Sequence, residues 1–246
     1  MTNTLLAPIA VALDAPDAST FDAWVAAVAP AVQCLKVGLE VICREGPGAI
    51  VDARRRATEV DRADIEMFVD MKLHDIPATV GKAARSLSSV HPTYLTVHAA
   101  GGAEMIAAAV QELPDTKITA VTVLTSLDAI QLRELGVAGS PRDVVLRWAE
   151  LSVAAGAQAL VCSPHEVAAL RSRIPEDITL ITPGVRPVDA SADDQRRTAT
   201  PQQALADGSD LLVIGRPITA HIDPGSAARL IAKELLEWQA VNGPAQ

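Results

Sequence analysis

The stretch FVDMKLHDIPAT, residues 68–79, places Asp70, Lys72 and Asp75 within six positions, directly after an apolar run. Carboxylates on either side of an ammonium group suit proton transfer and the stabilisation of developing charge, because each opposite neighbour favours the ionised form of the next. Side chains alternate across an extended strand, so Phe68, Asp70 and Lys72 share one face and Val69, Met71 and Leu73 the other. The apolar face is expected to pack on helices, and the charged face to point into a mouth where burial is costly without opposite partners. A lone Asp-x-Lys is more simply a solvated ion pair at a strand end. That plainer reading weakens because other strand ends repeat the choice: Asp14 closes VALD, Lys36 sits in LKVG, and Arg216 follows VIG. Lys36, Asp70, Lys72 and Asp75 are therefore expected to form one charged array. Asp75 lies past the strand, where parity does not aim it, which leaves open a reach into a neighbouring subunit.

A second set of residues lies in TPGVR and VIGRPI. Loops after the seventh and eighth strands of parallel barrels often bind phosphate through backbone N–H groups and a cationic side chain. Gly215 permits close backbone approach, and Arg216 can make two charge-assisted contacts to phosphate oxygens. His98 ends the run TVH and is read as a histidine lining the barrel rather than a ligand, and His74 as a rim residue. The remaining histidines have no mutual metal-ligand spacing, so no metal site is expected.

Short runs rich in Val, Ile, Leu and Thr must position these groups, and they alternate with longer Ala-rich segments of helical spacing. Strands are expected at IAVALD, QCLKVG, EMFVDMK, TYLTVHA, ITAVTVL, ALVCS, TLITPG and LLVIGR. Helices are expected over residues 20–28, 49–59, 78–87, 103–112, 143–155, 164–171, 201–206 and 225–238. Eight such units predict an α/β chain forming a single-domain (β/α)8 TIM barrel over residues 1–246, with its site at the C-terminal strand ends. A doubly wound open sheet is the alternative, but no Gly-x-Gly-x-x-Gly follows the first strand. Two connections are long: residues 124–143, and the polar stretch 184–200, which has the length of a functional lid.

The 246 residues are 49% hydrophobic, enough for one large core, and the formal net charge of −9 argues against a broad grip on nucleic acid or anionic lipid. Cys34, Cys43 and Cys162 lack C-x-x-C spacing and are read as buried reduced thiols, in keeping with a cytoplasmic protein. The N-terminal segment has no basic region and no run is long enough to span a bilayer, so neither secretion nor membrane insertion is expected.

With these residues in view, the chain resembles the orotidine 5′-monophosphate decarboxylase family. FVDMKLHDIPAT matches its signature Phe-x-Asp-x-Lys-x-x-Asp-Ile-Pro-x-Thr, and agreement continues in order through VALDAP, LKVGLE, VTVLTS, TPGVRP with DDQRR, and VIGRPI. The resemblance implies a homodimeric barrel that converts orotidine 5′-phosphate to uridine 5′-phosphate (UMP) and CO2, the last step of de novo pyrimidine synthesis, without metal or organic cofactor. It implies that Lys72 donates the proton to C6 of the pyrimidine, that Asp70 faces the departing carboxylate, and that Asp75 serves the other subunit's site, with Thr79 as a further candidate for that role. It also implies that Asp14, Lys36, Asp75 and Thr79 hold the ribose, that Ile76 lines the substrate site, and that Thr125 contacts the pyrimidine. Arg186, Gln195, Gly215 and Arg216 would serve the phosphate. Two alternatives remain. One is a Mg2+-dependent lyase of the hexulose-phosphate synthase or keto-gulonate-phosphate decarboxylase type, which shares Asp-x-Lys-x-x-Asp. The other is a non-catalytic barrel that binds a phosphorylated ligand.

Overall fold

Near-continuous apolar runs let both faces of the sheet be buried, as parallel strands covered by helices require. In the computed structural model, which describes residues 6–186 and 199–242, the strands form a closed barrel in chain order. They are β1 Ala7–Ala12, β2 Val32–Gly38, β3 Glu66–Leu73, β4 Tyr94–His98, β5 Lys117–Val121, β6 Ala159–Val161, β7 Thr179–Thr182 and β8 Leu211–Ile214, with β8 pairing back onto β1. The helices are α1 Ala18–Val28, α2 Leu39–Glu45, α3 Gly48–Thr58, α4 Pro77–Ser86, α5 Ala103–Glu112, α6 Ala129–Glu134, α7 Pro141–Ala154, α8 Val167–Arg171, α9 Pro201–Ala206, α10 Arg216–Thr219 and α11 Pro224–Asn242.

One parity faces outward. Val11, Leu35, Val37, Val69, Leu95, Ile118, Leu160, Leu180 and Leu212 join the core between sheet and helices. The other parity fills the barrel with Ala10, Cys34, Phe68, Tyr94, Ala159, Ile181 and Leu211. Two residues further along the same inward face come Ala12, Lys36, Asp70, Val161 and Val213, which line a cavity above this interior layer. The apolar layer is thus the floor of the polar site, and strand parity sets the height at which charge begins.

All eight expected strands are present, most of them ending earlier than the apolar runs. Asp14, Leu124 and Gly184 lie just past the ladder, where the chain turns into loops, while Ala99 opens a 3-10 turn and Arg216 opens α10. The expected helices are present with small shifts at their ends, and residues 164–166 form a 3-10 turn that leads into α8. Three short helices, α2, α6 and α10, had no sequence expectation, whereas the comparably short α9 fell at the expected 201–206. The 124–143 connection holds α6, whose start is a capping box between Asp128 and Gln131. Helix α4 begins with Pro77 at a position where a missing N–H costs nothing, which accounts for the proline in the charged motif. The stretch 187–198, most of the expected lid, lies outside the described residues.

The cysteine reading needs one correction. Cys34 and Cys162 are buried, but Cys43 is exposed, because α2 turns Val41 and Ile42 inward and leaves Cys43 on its outer side. No described helix is long and apolar enough to cross a membrane.

Candidate active site

Four charges of alternating sign run across the ends of three adjacent strands. Lys36 Nζ lies 3.5 Å from Asp14 Oδ1 and 3.2 Å from Asp70 Oδ2. Lys72 Nζ lies 2.8 Å from Asp70 Oδ1 and 2.9 Å from Oδ2. Lys36 and Asp70 are buried, Lys72 is partly exposed and Asp14 opens to solvent. Burial alone would push the Asp70 carboxyl up, but Lys36 and then Lys72 outweigh it and hold the group below its usual value. Burial would likewise discharge Lys36, but Asp70 and then Asp14 hold its pKa above the usual lysine value. Lys36 and Asp70 are therefore held ionised in a place where burial alone disfavours the charged form of each.

The backbone is adapted to this crowding. Gly38 follows Lys36 by two residues, and a Cβ there would stand 2.8 Å from Asp14 Oδ1 and 3.1 Å from Lys36 Nζ. A side chain at that position would separate the pair. Lys72 itself has φ +48°, a left-handed conformation that costs a non-glycine residue about 1 kcal/mol or more. The register between β3 and β4 shifts there, from Val69 opposite Leu95 to Leu73 opposite Val97. Asp70 and Lys72 do face one another, as strand parity predicts, but through a broken ladder rather than a regular pleat.

The cavity has a volume of about 490 Å3. Asp14, Lys36, Asp70 and Lys72 form one side, and Gly184, Arg186, Gly215 and Arg216, from the ends of β7 and β8, form another. Thr125, Val123 and Leu124 follow β5, and Cys162 follows β6; with Phe68 they supply an apolar wall. This is room for a phosphorylated ligand with a flat ring, held between a charged wall and two arginines. Arg186 is buried and Arg216 exposed. Gly184 has φ +80°, which favours glycine at this turn.

Not every expected site residue reaches this cavity within one chain. Asp75, Ile76 and Thr79 are exposed on the loop after β3 and the first turn of α4, and none lines the cavity. Asp75 Oδ1 accepts the Ile76 N–H at 2.6 Å, and Ile76 is 66% exposed. The alternating run of a single chain is therefore Asp14, Lys36, Asp70, Lys72, with Asp14 in the fourth place expected for Asp75. Gln195 lies outside the described residues. His98 ends β4 on the same parity as the inward Tyr94 and packs against His74, ring centres 5.4 Å apart. Its own burial, His74 and Lys72 lower its pKa.

Thr96 and Gly38 went unnoticed in the sequence. Thr96 shows only as a polar residue between Leu95 and Val97 on the inward parity of β4, a weak signal. Among the described residues, no group of three or more His, Cys, Asp or Glu side chains is placed to hold a metal ion.

Fold and site together define a (β/α)8 barrel that presents a cationic and carboxylate cluster and two arginines around one cavity at its C-terminal strand ends. A family model described as "Orotidine 5'-phosphate decarboxylase / HUMPS family" matches residues 7–231. The chain is 59% identical over 231 residues to the orotidine 5'-phosphate decarboxylase of Thermobifida fusca (strain YX), a match covering 94% of this chain and 97% of the relative. It is 54% identical over 241 residues to the enzyme of the same name from Frankia casuarinae, covering 93% and 88%. A crystal structure of orotidine 5'-phosphate decarboxylase from Lactobacillus acidophilus superposes with a TM-score of 0.79 at 33% identity, covering 93% of this chain and 99% of that one. The chain belongs to the orotidine 5′-phosphate decarboxylase / HUMPS family.

Proposed function

We propose that this barrel, a single domain, converts orotidine 5′-phosphate to UMP and CO2, the last step of de novo pyrimidine synthesis, and that Lys72 is its general acid. The observation that carries the mechanism is the Lys72 ammonium, held on Asp70 at 2.8 Å on the wall of a cavity that also carries Arg186 and Arg216. The names of the Thermobifida and Frankia relatives support the reaction, since the match spans more than nine-tenths of this chain.

When the bond from C6 to its carboxylate breaks, the electron pair stays on a ring carbon that has no ready sink. A fixed cation beside that carbon stabilises the developing charge, and it needs no reorganisation because Asp70 already orients it. Lys72 then delivers a proton to C6 and is left as a neutral amine until solvent recharges it. Asp70 repels the substrate carboxylate, and that repulsion ends as neutral CO2 departs. Lys36 keeps Asp70 ionised and, with Asp14, holds the ribose hydroxyls. Thr125 meets the pyrimidine, while Arg186, Gly215, Arg216 and Gln195 bind the phosphate, whose binding energy drives closure around the reacting centre.

The deciding experiment follows loss of orotidine 5′-phosphate and formation of UMP by the purified protein, with and without EDTA. Turnover that survives EDTA is the expected result. Turnover lost with EDTA would favour the Mg2+-dependent alternative, and none at all a barrel that only binds. Arg216→Ala is expected to raise KM about 10- to 100-fold with a smaller fall in kcat, because a charge-assisted, two-pronged contact is worth roughly 1.5–3 kcal/mol. An unchanged KM would remove Arg216 from the phosphate site.

The acting unit is a homodimer in which Asp75, Ile76 and Thr79 of one subunit complete the partner's cavity. Their exposure, and the apolar Ile76 among them, support this. Inactive Lys72→Ala and Asp75→Ala chains, mixed and re-associated, are expected to regain about one quarter of wild-type turnover. Half the dimers are then mixed, and each has one intact site. If Asp75 serves its own chain, mixing restores nothing. The free cysteines support the reading of a protein of the reducing cytoplasm.

A further inference from the structure

We infer that Thr96 is a positioning residue for the charged array, holding both the Lys72 backbone and the Asp70 carboxylate in their working geometry; this rests on the decarboxylase reading above. Thr96 lies in the middle of β4 and is 0% exposed. Its Oγ1 accepts the Lys72 backbone N–H at 2.8 Å and donates to Asp70 Oδ1 at 3.0 Å. A hydroxyl has one proton, and Asp70 takes it, so the lone pairs are free to accept from Lys72. The two bonds thus fix one another's direction.

The location explains why such a bridge is needed. The β3–β4 ladder loses its register between Val69 and Leu73, the segment that contains Asp70 and Lys72. The Lys72 N–H therefore goes to a side chain on β4. That residue also carries the left-handed φ of +48°, a conformation that persists only where its surroundings hold it. Thr96 supplies the hold at the backbone and, through the same oxygen, sets Asp70. Asp70 Oδ1 receives Thr96 and Lys72, and Oδ2 receives Lys72 and Lys36, so the carboxylate is held by three donor groups around its plane. Without the bridge, Asp70 keeps Lys36 and Lys72 Nζ keeps Asp70, but the Lys72 backbone and Asp70 Oδ1 lose their tie to β4. Misplacement of about 1 Å in such a centre costs roughly 10²-fold in rate.

Thr96→Val keeps the shape and removes both bonds, whereas Thr96→Ser keeps the hydroxyl. With Thr96→Val, kcat for orotidine 5′-phosphate is expected to fall about 10²-fold while KM changes less than about 3-fold, and Thr96→Ser to stay within a few-fold of wild type. Amide hydrogen exchange at Lys72 in the free protein is expected to speed up in Thr96→Val and not in Thr96→Ser. A folded Thr96→Val with near-wild-type kcat and unchanged Lys72 exchange overturns the inference, as does a Thr96→Ser variant as impaired as Thr96→Val. Should Thr96→Val fail to fold, Thr96→Ala is measured in its place with the same two readouts, and a near-wild-type Thr96→Ala overturns it equally. The exchange measurement needs no substrate. Loss of Lys72 protection in a protein whose wild type turns over no orotidine 5′-phosphate would defeat the decarboxylase reading and leave the positioning role standing.

Discussion

Lys72→Ala is expected to lower turnover of orotidine 5′-phosphate by about 10⁴-fold or more while UMP still binds within roughly tenfold of wild type. The size follows from two roles in one atom. Removing a fixed donor to developing charge costs about 10²–10³-fold, and removing a general acid about 10²–10⁴-fold. Because both act on one transition state, their losses need not multiply, and the lower end of the product is the safer expectation. Binding is expected to survive because the proposed phosphate and ribose contacts come from other strand ends. Arg186 and Arg216 follow β7 and β8, Asp14 follows β1, and Lys36 belongs to β2. Asp70 remains paired with Lys36 and Thr96, so the wall of the cavity does not collapse. Single-turnover kinetics together with calorimetric titration of UMP separate the two effects. A rate near wild type would end the assignment of Lys72 as the acid.

Asp70→Asn is expected to lose about 10³-fold in activity and also to lose stability, by about 2 kcal/mol, which is a fall of roughly 4–8 °C in Tm at neutral pH. An amide accepts from one lysine but neutralises neither. Lys36 is buried and would keep only Asp14, 3.5 Å away and open to solvent, so its charge becomes expensive. The remaining partner places the loss below the roughly 3–5 kcal/mol for a fully broken buried pair. The difference between wild type and variant depends on pH with a fixed sign. The Asp70 pKa is lowered on folding from 3.8, so the carboxylate contributes stability above that value and loses it as pH falls through the folded value. Lys36 is raised from 10.5, so its contribution is complete below that value and fades as pH rises through the folded one. The Tm gap is therefore expected to be flat through neutrality and to narrow below about pH 4. A gap that widens in acid would contradict the paired array.

The strand count, the parallel order and the inward placement of Asp70 and Lys72 were legible because they depend on local pattern. Apolar runs of alternating parity separated by helical segments permit few closures, and Cys34, Phe68 and Leu211 fall on the same inward face as Lys36, Asp70 and Val213. Whereas α9, only six residues long, fell where it was expected, the short helices α2, α6 and α10 were not legible. Nor was the exposed position of Cys43, which depends on which side of a two-turn helix meets the barrel.

By itself, the sequence determined that eight strand ends would gather acidic and basic residues in one mouth, because periodicity and residue type are written along the chain. Which of those charges touch was decided only by the tertiary structure. Asp14 meets Lys36 across a glycine that leaves them room, and Asp75 stays outside its own chain's array on the loop after β3. Lys72 reaches Asp70 through a left-handed residue where the ladder breaks, held by a threonine twenty-four positions away. Such contacts depend on the register between neighbouring strands, which no single strand's pattern contains.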